Sequence, residues 1–422
     1  MKVLVIGQGG REHALVWKFA QSPLVTKIYA YPGNPGIAEL ATLVQVSSLE
    51  ELKDFAIKEA IDLTVVGPEK YLAAGIADLF KEAGLAIFGP SQAATRLESS
   101  KAYAKAFMQR HNIPTAAFLE ADDYNTACCM IKNAPYRLVV KADGLAQGKG
   151  VAVTESAKEA MDAVQQMLSG AFGEAGHKVI LEERLEGPEI SVLTLVEGSN
   201  YCVLPVAMDH KRAYDNDLGP NTGGMGAVAP IALNNELQEE IEKTIIKPTI
   251  EGLAKEGTYF SGVIFIGLML TKNGPKVLEY NVRLGDPETQ AVLPLVKNDL
   301  FTLLQDLKAG KKCSLALLEQ VSCCVVVASK GYPGDYAKGV PINLPKIDQN
   351  QIIFHSGTQL LKDQLCSLGG RVLAVVGLGQ DLNEARAKAY EIVEKIDFPE
   401  KMVRRDIGMK ALSFQVFTKI IP

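Results

Sequence analysis

Over the first hundred residues, short apolar runs alternate with amphipathic stretches, and this pattern narrows the possible folds more than any other feature. Strands are expected at Lys2 to Ile6, Lys27 to Ala30, Asp62 to Val66 and Leu85 to Phe88. Helices are expected at Glu12 to Ser22, Leu49 to Ala60 and Tyr71 to Ala83. A strand, a helix and a further strand return the chain in one direction, so the alternation predicts a parallel sheet. Ligands of such sheets lie beyond the carboxyl ends of the strands. Three loops fall there: Gly7-Gln-Gly-Gly-Arg-Glu-His13, Tyr31-Pro-Gly-Asn-Pro-Gly36 and Gly67-Pro-Glu69.

The first loop invites a dinucleotide reading, which two residues reject. Glu12 occupies the sixth position of GxGxxG, and no acid near Tyr31 stands ready for a ribose hydroxyl. Exposed amides at the start of a helix, with Arg11, still form a phosphate cradle. The plain alternative is a glycine turn needed only for helix–strand packing.

At 422 residues the chain should divide into about three domains. Its net charge of -5 leaves no basic surplus for nucleic-acid phosphates. The apolar start breaks at Gly7, as expected of a buried strand and not of a signal peptide or membrane span, so a cytoplasmic protein is expected. Seven cysteines without CxxC spacing are read as reduced core thiols, with neither a disulfide framework nor structural zinc.

In the middle of the chain, Arg137 to Lys141 reads as a strand, followed by the glycine-rich loop Ala142 to Gly150 and a strand at Val151 to Thr154. The loop is not a P-loop, because only three residues separate Gly144 from Gly148 and Gly150 follows Lys149. A flap with free amides and Lys149 can still close over phosphates. After a helix at Ala157 to Leu168, the stretch Lys178 to Glu186 can present backbone groups and Glu182 or Glu183 to an adenine edge, with Glu189 placed for ribose hydroxyls; the plain reading of each acid is a solvated surface charge. Asp209, His210, Lys211 and Arg212 look too polar and clustered for a core, with His210 at best a positioning residue. In Gly219-Pro-Asn-Thr-Gly-Gly-Met-Gly226 the glycines allow close approach of a ligand.

The stretch Lys276 to Gln290 carries the chemistry. Alternation puts Val277, Glu279 and Asn281 on one strand face and Leu278, Tyr280 and Val282 on the other. A carboxylate and an amide oxygen two residues apart suit Mg²⁺, which fills its shell with substrate phosphates and water. Arg283 continues that face and can neutralise charge on a transferring phosphoryl group, Gly285-Asp286-Pro287 turns the chain, and Glu288 adds an acid. An edge strand with a solvated polar face is the plain alternative. Further on, Asp299 to Lys312 reads as a polar approach to a last domain with strands at Cys324 to Ala328, Ile352 to Phe354 and Arg371 to Val376 and a helix at Leu382 to Ile396. Arg404-Arg405 is either a surface pair or an anion contact.

Together the flap, Glu182-Glu183, Asp209-His-Lys-Arg212, Gly219 to Ala227 and the ExNxRxGDPET strand resemble the ATP-grasp superfamily. With Gly7 to His13 the match is to the glycinamide ribonucleotide synthetase family, over essentially the whole chain. The resemblance implies an α/β fold: a Rossmann-like parallel-sheet domain at 1–100, an ATP-grasp core at 101–298 with a mobile lid near 122–190, and a small carboxy-terminal αβ domain with its linker at 299–422. It implies ligation of glycine to 5-phospho-D-ribosylamine with ATP, through glycyl phosphate, with Mg²⁺ or Mn²⁺. Arg283, Asp286 and Lys211 are then expected in catalytic roles. Lys101, Lys141, Gly148, Lys149, Gly150, Glu182, Glu183, Leu185 and Glu189 are expected at the nucleotide. Gly9, Gly10, Arg11, Glu12, Asp209, Asn221, Thr222, Gly223 and Gly224 are expected at the substrates, and Glu279 and Asn281 at the metal. Gln147, Met208 and Lys70 depart from the family pattern and bear on local substrate contacts. Small molecules are the expected partners, with no nucleic acid or membrane, and the chain is expected to be a monomer or a dimer. A different ATP-grasp enzyme should lack the Gly219 to Ala227 loop, and a non-catalytic nucleotide sensor should lack Glu279, Asn281 and Arg283.

Overall fold

The computed structural model describes residues 1–144, 150–171 and 173–413. The amino-terminal sheet is parallel, in the order Thr42–Leu43, Lys27–Pro32, Lys2–Gly7, Leu63–Val66, Ile87–Phe88. Val3, Leu4, Val5 and Ile6 are all fully buried, which requires cover on both faces. Val3 and Val5 share a core with Leu15 and Phe19 of the helix Gly10–Phe19, while Leu4 and Ile6 belong to the core containing Leu52 and Phe80. The single helix expected at Tyr71 to Ala83 is two, Glu69–Ala73 and Ile76–Glu82. Gly75 between them has φ +83°, a left-handed conformation that glycine adopts without strain.

Two antiparallel sheets follow. The expected lid is a sheet in the order Phe118–Ala121, Val179–Glu183, Leu138–Ala142, Val151–Val153. The helices Tyr124–Asn133 and Ala157–Gln166 bury Ala127, Ile131, Ala160 and Val164 in its core. The second sheet runs Asn200–Val203, Glu189–Glu197, Ser261–Thr271, Gly274–Asn281. Here the expected alternation fails. Leu268 pairs with Val277 and Gly267 with Glu279, so Leu278 is the extra residue of a bulge. Val277 and Tyr280 are both buried, and Val277 does not share a face with Glu279 and Asn281.

The third sheet runs Met208–Asp209, Gly226–Ala229, Val321–Ser329, Arg371–Gly379, Gln351–His355, with Lys401–Met402 pairing to Val321–Ser329. The glycine-rich loop thus leads into a sheet that residues beyond 299 complete. The helix Leu382–Lys395 lies over it, burying Ala385, Ala389, Ile392 and Val393. Asp299 to Lys312 is not a polar approach: Leu300–Lys308 is a helix whose Leu300, Phe301, Leu303, Leu304 and Leu307 are buried. These residues recur at helical spacing, a signal that the lysine-rich end obscured. The reading of every cysteine as a reduced core thiol also fails. Cys202 and Cys313, 111 residues apart, are joined in a disulfide because this helix packs beside the Asn200–Val203 strand, and Cys129 is exposed. Among the described residues no helix is long and apolar enough to cross a membrane.

Candidate functional site

Where the lid meets the second sheet, lysines and acids converge. Lys141, on the lid strand Leu138–Ala142, lies 3.0 Å from Glu182 and donates to the carbonyl of Leu278 at 3.0 Å. Leu278 stands on the edge strand of the second sheet. Lys105 pairs with the other oxygen of Glu182 at 2.9 Å. Burial lowers the Lys105 pKa to about 8, and the two lysines hold Glu182 below the usual carboxylate range although burial acts the other way. Glu182 and Glu183 therefore do not share one role. Successive strand residues point to opposite faces, so Glu182 is buried between two lysines while half-buried Glu183 lies 3.6 Å from Lys276. Lys101 starts the helix Lys101–Arg110 and donates to the carbonyl of Gly144 at 3.0 Å. Leu185 is half-buried just beyond the strand, and Gly150 is buried with its carbonyl accepting from Ala142 N at 2.8 Å. Gln147, Gly148 and Lys149 lie outside the described residues.

A second group surrounds Lys211. Its ammonium contacts Glu189 and lies 3.4 Å from Glu279. Burial penalises its charge, yet Glu189, Asp209 and Glu279 raise its pKa well above the ordinary value. Glu279 is a third exposed, and its pKa lies near 2: burial raises it, but Lys211, Lys141, Lys101 and Arg283 outweigh burial. Asp209 is the opposite case. Burial raises its pKa, opposed by Lys211 and reinforced by Glu288, Glu189 and Glu279. Asp209 and His210 are buried, against the expectation that this tetrad avoids the core. They enter it because the chain here joins the third sheet and His210 Nε2 accepts from Gly408 N at 3.0 Å. Arg404, expected at the surface or on an anion, is fully buried and pairs with Asp217 and Asp406.

Glu279 and Asn281 stand on one strand with oxygens of hard-ligand type, as a divalent cation requires. Among the described residues no group of three or more His, Cys, Asp or Glu side chains could hold a metal by itself. This donor set fits an ion that takes the rest of its shell from phosphate and water. Asn281 Oδ1 accepts from Arg283 at 3.0 Å, and the same guanidinium reaches Glu98 at 3.0 Å and Glu69 at 3.2 Å. Arg283 thereby ties the metal-type strand to the amino-terminal sheet.

The amino-terminal loop is built around Glu12. Its carboxylate accepts from Gly9 N at 2.6 Å and from Arg11 Nε at 2.5 Å, and it fills the space where side chains on Gly7 and Gly67 would lie. This is the physical reason for an acid at the sixth position of the motif. Arg11 is buried as well and donates to the carbonyl of Leu284 at 2.9 Å. Gly10 packs against Gln290 and Ser356, so the carboxy-terminal domain closes on this loop. In the glycine-rich loop, Thr222 is buried and bonded to the Lys211 carbonyl, Asn221 pairs with Arg212 in a short ladder, and a side chain at Gly224 would strike Pro287. That close approach is between two loops of the site. Sequence reasoning missed Lys105, Glu98 and Arg371, while Glu69 belongs to the Gly67 to Glu69 loop expected at the ligand end of the sheet. Lys105 was findable, since it stands four residues after Lys101 on one helical face, whereas Glu98 and Arg371 are joined to the site only by the fold.

Comparison with known proteins identifies the family. Family models for phosphoribosylglycinamide synthetase match the chain in three parts: the N domain at residues 1–98, the ATP-grasp (A) domain at 99–289 and the C domain at 322–410. A phosphoribosylamine–glycine ligase of Caldanaerobacter subterraneus subsp. tengcongensis is 46% identical over 414 residues, covering 97% of this chain and 99% of the relative. The crystal structure of a phosphoribosylamine–glycine ligase from Thermotoga maritima superposes with TM-score 0.86 at 36% identity, covering 96% of this chain and 100% of that one. The biotin carboxylase domain of Hydrogenobacter thermophilus 2-oxoglutarate carboxylase, in complex with the magnesium salt of ADP, shares the fold with TM-score 0.72 at 18% identity, covering 95% of this chain and 91% of that one. The chain belongs to the phosphoribosylglycinamide synthetase family.

Proposed function

We propose that the chain is a C–N bond-forming ligase of purine biosynthesis that joins glycine to 5-phospho-D-ribosylamine, releasing ADP and phosphate through glycyl phosphate. The observation that carries this reading is the convergence of Lys101, Lys141, Lys211 and Arg283 on the Glu279–Asn281 strand. A carboxylate is a poor electrophile, and moving the γ-phosphoryl of ATP onto it creates a leaving group that a neutral amine displaces. Lys101 and Lys141 neutralise the nucleotide phosphates, and Arg283 and Lys211 stabilise charge at the transferring group and its acceptor. Mg²⁺ or Mn²⁺ held by Glu279 and Asn281 would supply further positive charge to the phosphates. Gly148, Lys149 and Gly150 are assigned to the nucleotide, with Glu183, Leu185 and Glu189 around the adenosine. Glu182 acts there through the lysines it holds. Gly9, Gly10, Arg11 and Glu12 frame the ribose phosphate, with Asp209 and Asn221 to Gly224 beside the amino acid. Asp286 stands between the two pockets. The substrates are small cytoplasmic metabolites, and the lid moves against the core during turnover.

Glycine labelled with heavy oxygen in its carboxylate tests the chemistry. One labelled oxygen should leave with inorganic phosphate, because it becomes the bridging atom of the acyl phosphate. Unlabelled phosphate, or AMP and pyrophosphate as products, would overturn the reading.

A further inference from the structure

Asp286 lies where three parts of the chain meet. Its Oδ1 accepts from Gln290 Nε2 at 2.8 Å and lies 3.3 Å from the Arg371 guanidinium. Its Oδ2 makes no hydrogen bond to another described residue and faces the amino-terminal loop: a methyl group on Gly9 would come within 3.3 Å of it. Burial favours the neutral acid, but Arg371, Arg11, the Gln290 hydrogen bond and Arg283 hold the carboxyl below its ordinary range, so it is ionised at neutral pH. One oxygen is committed to the protein. The other is a free anionic acceptor between the phosphate cradle and the strand of Glu279 and Asn281.

Arg371 comes from the other end of the chain, at the start of the strand Arg371–Gly379. Its Nη1 donates to the backbone carbonyl of Asp286 at 2.6 Å and to that of Gly223 at 2.7 Å. Gly223 N in turn donates to the hydroxyl of Tyr332 at 3.1 Å. One guanidinium thus fixes both the turn carrying Asp286 and the glycine-rich loop, and a side chain on Gly223 would come within 3.0 Å of its central carbon. All three contacts, to the two carbonyls and to the Asp286 carboxylate, are made by Nη1, at the tip of a side chain longer than that of lysine.

We infer that Arg371 is a positioning residue for the ribosylamine, holding Asp286 so that its free Oδ2 accepts a hydrogen bond from the attacking amine and directs the nitrogen lone pair toward the acyl carbon. The inference rests on the proposed ligation and names the residues that aim its nucleophile. The carboxylate takes no proton in this role. It fixes the approach of a small, freely rotating group, which is where misplacement by about 1 Å costs on the order of 100-fold in rate.

Steady-state kinetics with freshly generated 5-phosphoribosylamine test it. Arg371→Ala should lower kcat/KM for the ribosylamine by about 100-fold while KM for ATP stays within about threefold of wild type. Guanidinium ion at low millimolar concentration should restore Arg371→Ala by about tenfold. It should not restore Asp286→Asn, which lacks the anionic acceptor. An unchanged kcat/KM for the ribosylamine, an equal rise in the KM values for the ribosylamine and ATP, or rescue of neither variant overturns the inference. If Arg371→Ala fails to fold by thermal melting, Arg371→Lys is judged by the same selective loss in kcat/KM. A wild-type enzyme that forms no glycinamide product overturns the ligation reading itself, an outcome visible before any variant is made.

Discussion

Glu279 shows at the scale of one residue how charge decides function. Its carboxyl is partly buried, yet three lysines and Arg283 keep its pKa near 2, so it is ionised across the physiological range. Glu279→Gln keeps the volume and removes the charge that a divalent cation needs. Turnover should fall by a factor equivalent to several kcal/mol of transition-state stabilisation, while the variant still folds and melts in a cooperative transition. Wild-type turnover at ordinary Mg²⁺ would remove Glu279 from the metal site. Glycine is decisive at Gly67. A β-carbon there would sit 1.9 Å from Glu12 Oε1, and Glu12 cannot retreat because it is buried and bonded to Gly9 and Arg11. Gly67→Ala should cost about 1–3 kcal/mol and raise KM for the ribosylamine more than for ATP. Equal KM values for both substrates in variant and wild type would show that the Glu12 loop does not frame the sugar phosphate.

Among the elements, the four-stranded lid sheet contrasts with the sheet beneath it. Its own small core is built from Ala127, Ile131, Val140, Val164 and Leu181, separate from the two large cores of the molecule. It meets the second sheet through polar contacts, among them Lys141 to the Leu278 carbonyl and Lys276 beside Glu183. Such a joint separates more easily than an apolar one. Saturating Mg-ATP should slow amide exchange across Val151–Val153, whose side chains are partly exposed, while the deep strand Glu189–Glu197 exchanges as before. Equal exchange of Val151–Val153 with and without nucleotide would identify a static hairpin.

For the whole molecule, buried neutral histidines set the acid limit. Burial lowers the pKa of His13 to about 3, helped by neighbouring His355, and burial takes His355 and His210 to about 4. The unfolded chain protonates these groups near pH 6.5, before the native protein does, so stability is complete above pH 6.5 and falls as pH drops from there toward 4. Each group contributes up to about 1.4 kcal/mol per pH unit in that window. Glu279, with its depressed pKa, loses its contribution only below about pH 4.5, so it does not confuse the reading. Thermal midpoints measured from pH 7.5 to 4.5 should decline, and His355→Leu should flatten the decline. An equally steep decline in His355→Leu and in the wild type would show that His355 does not contribute to the acid limit. His13 and His355 matter beyond stability, because His13 Nδ1 accepts from His355 N at 2.8 Å and joins the amino-terminal loop to the carboxy-terminal sheet.

The sequence by itself determined whatever depends on neighbours along the chain. Hydrophobic periods of two and 3.6 residues specified the parallel sheet and most helices, and a spacing of two put Glu279 beside Asn281. The glycine loops were legible because only special backbone geometry requires such runs. The bulge at Leu278 escaped that logic, since register is set by the partner strand and one inserted residue moves Val277 to the other face. Tertiary structure alone decided which charges meet. Arg371 reaches Asp286 across 85 residues, Arg283 reaches Glu69 across 214, and Cys202 finds Cys313 across 111. No local pattern encodes these pairs, because each forms only after separate cores have packed and water has been excluded between them. Glu182 is the sharpest instance: an acid that reads as an adenine contact along the strand becomes, in three dimensions, the buried counter-ion of Lys105 and Lys141.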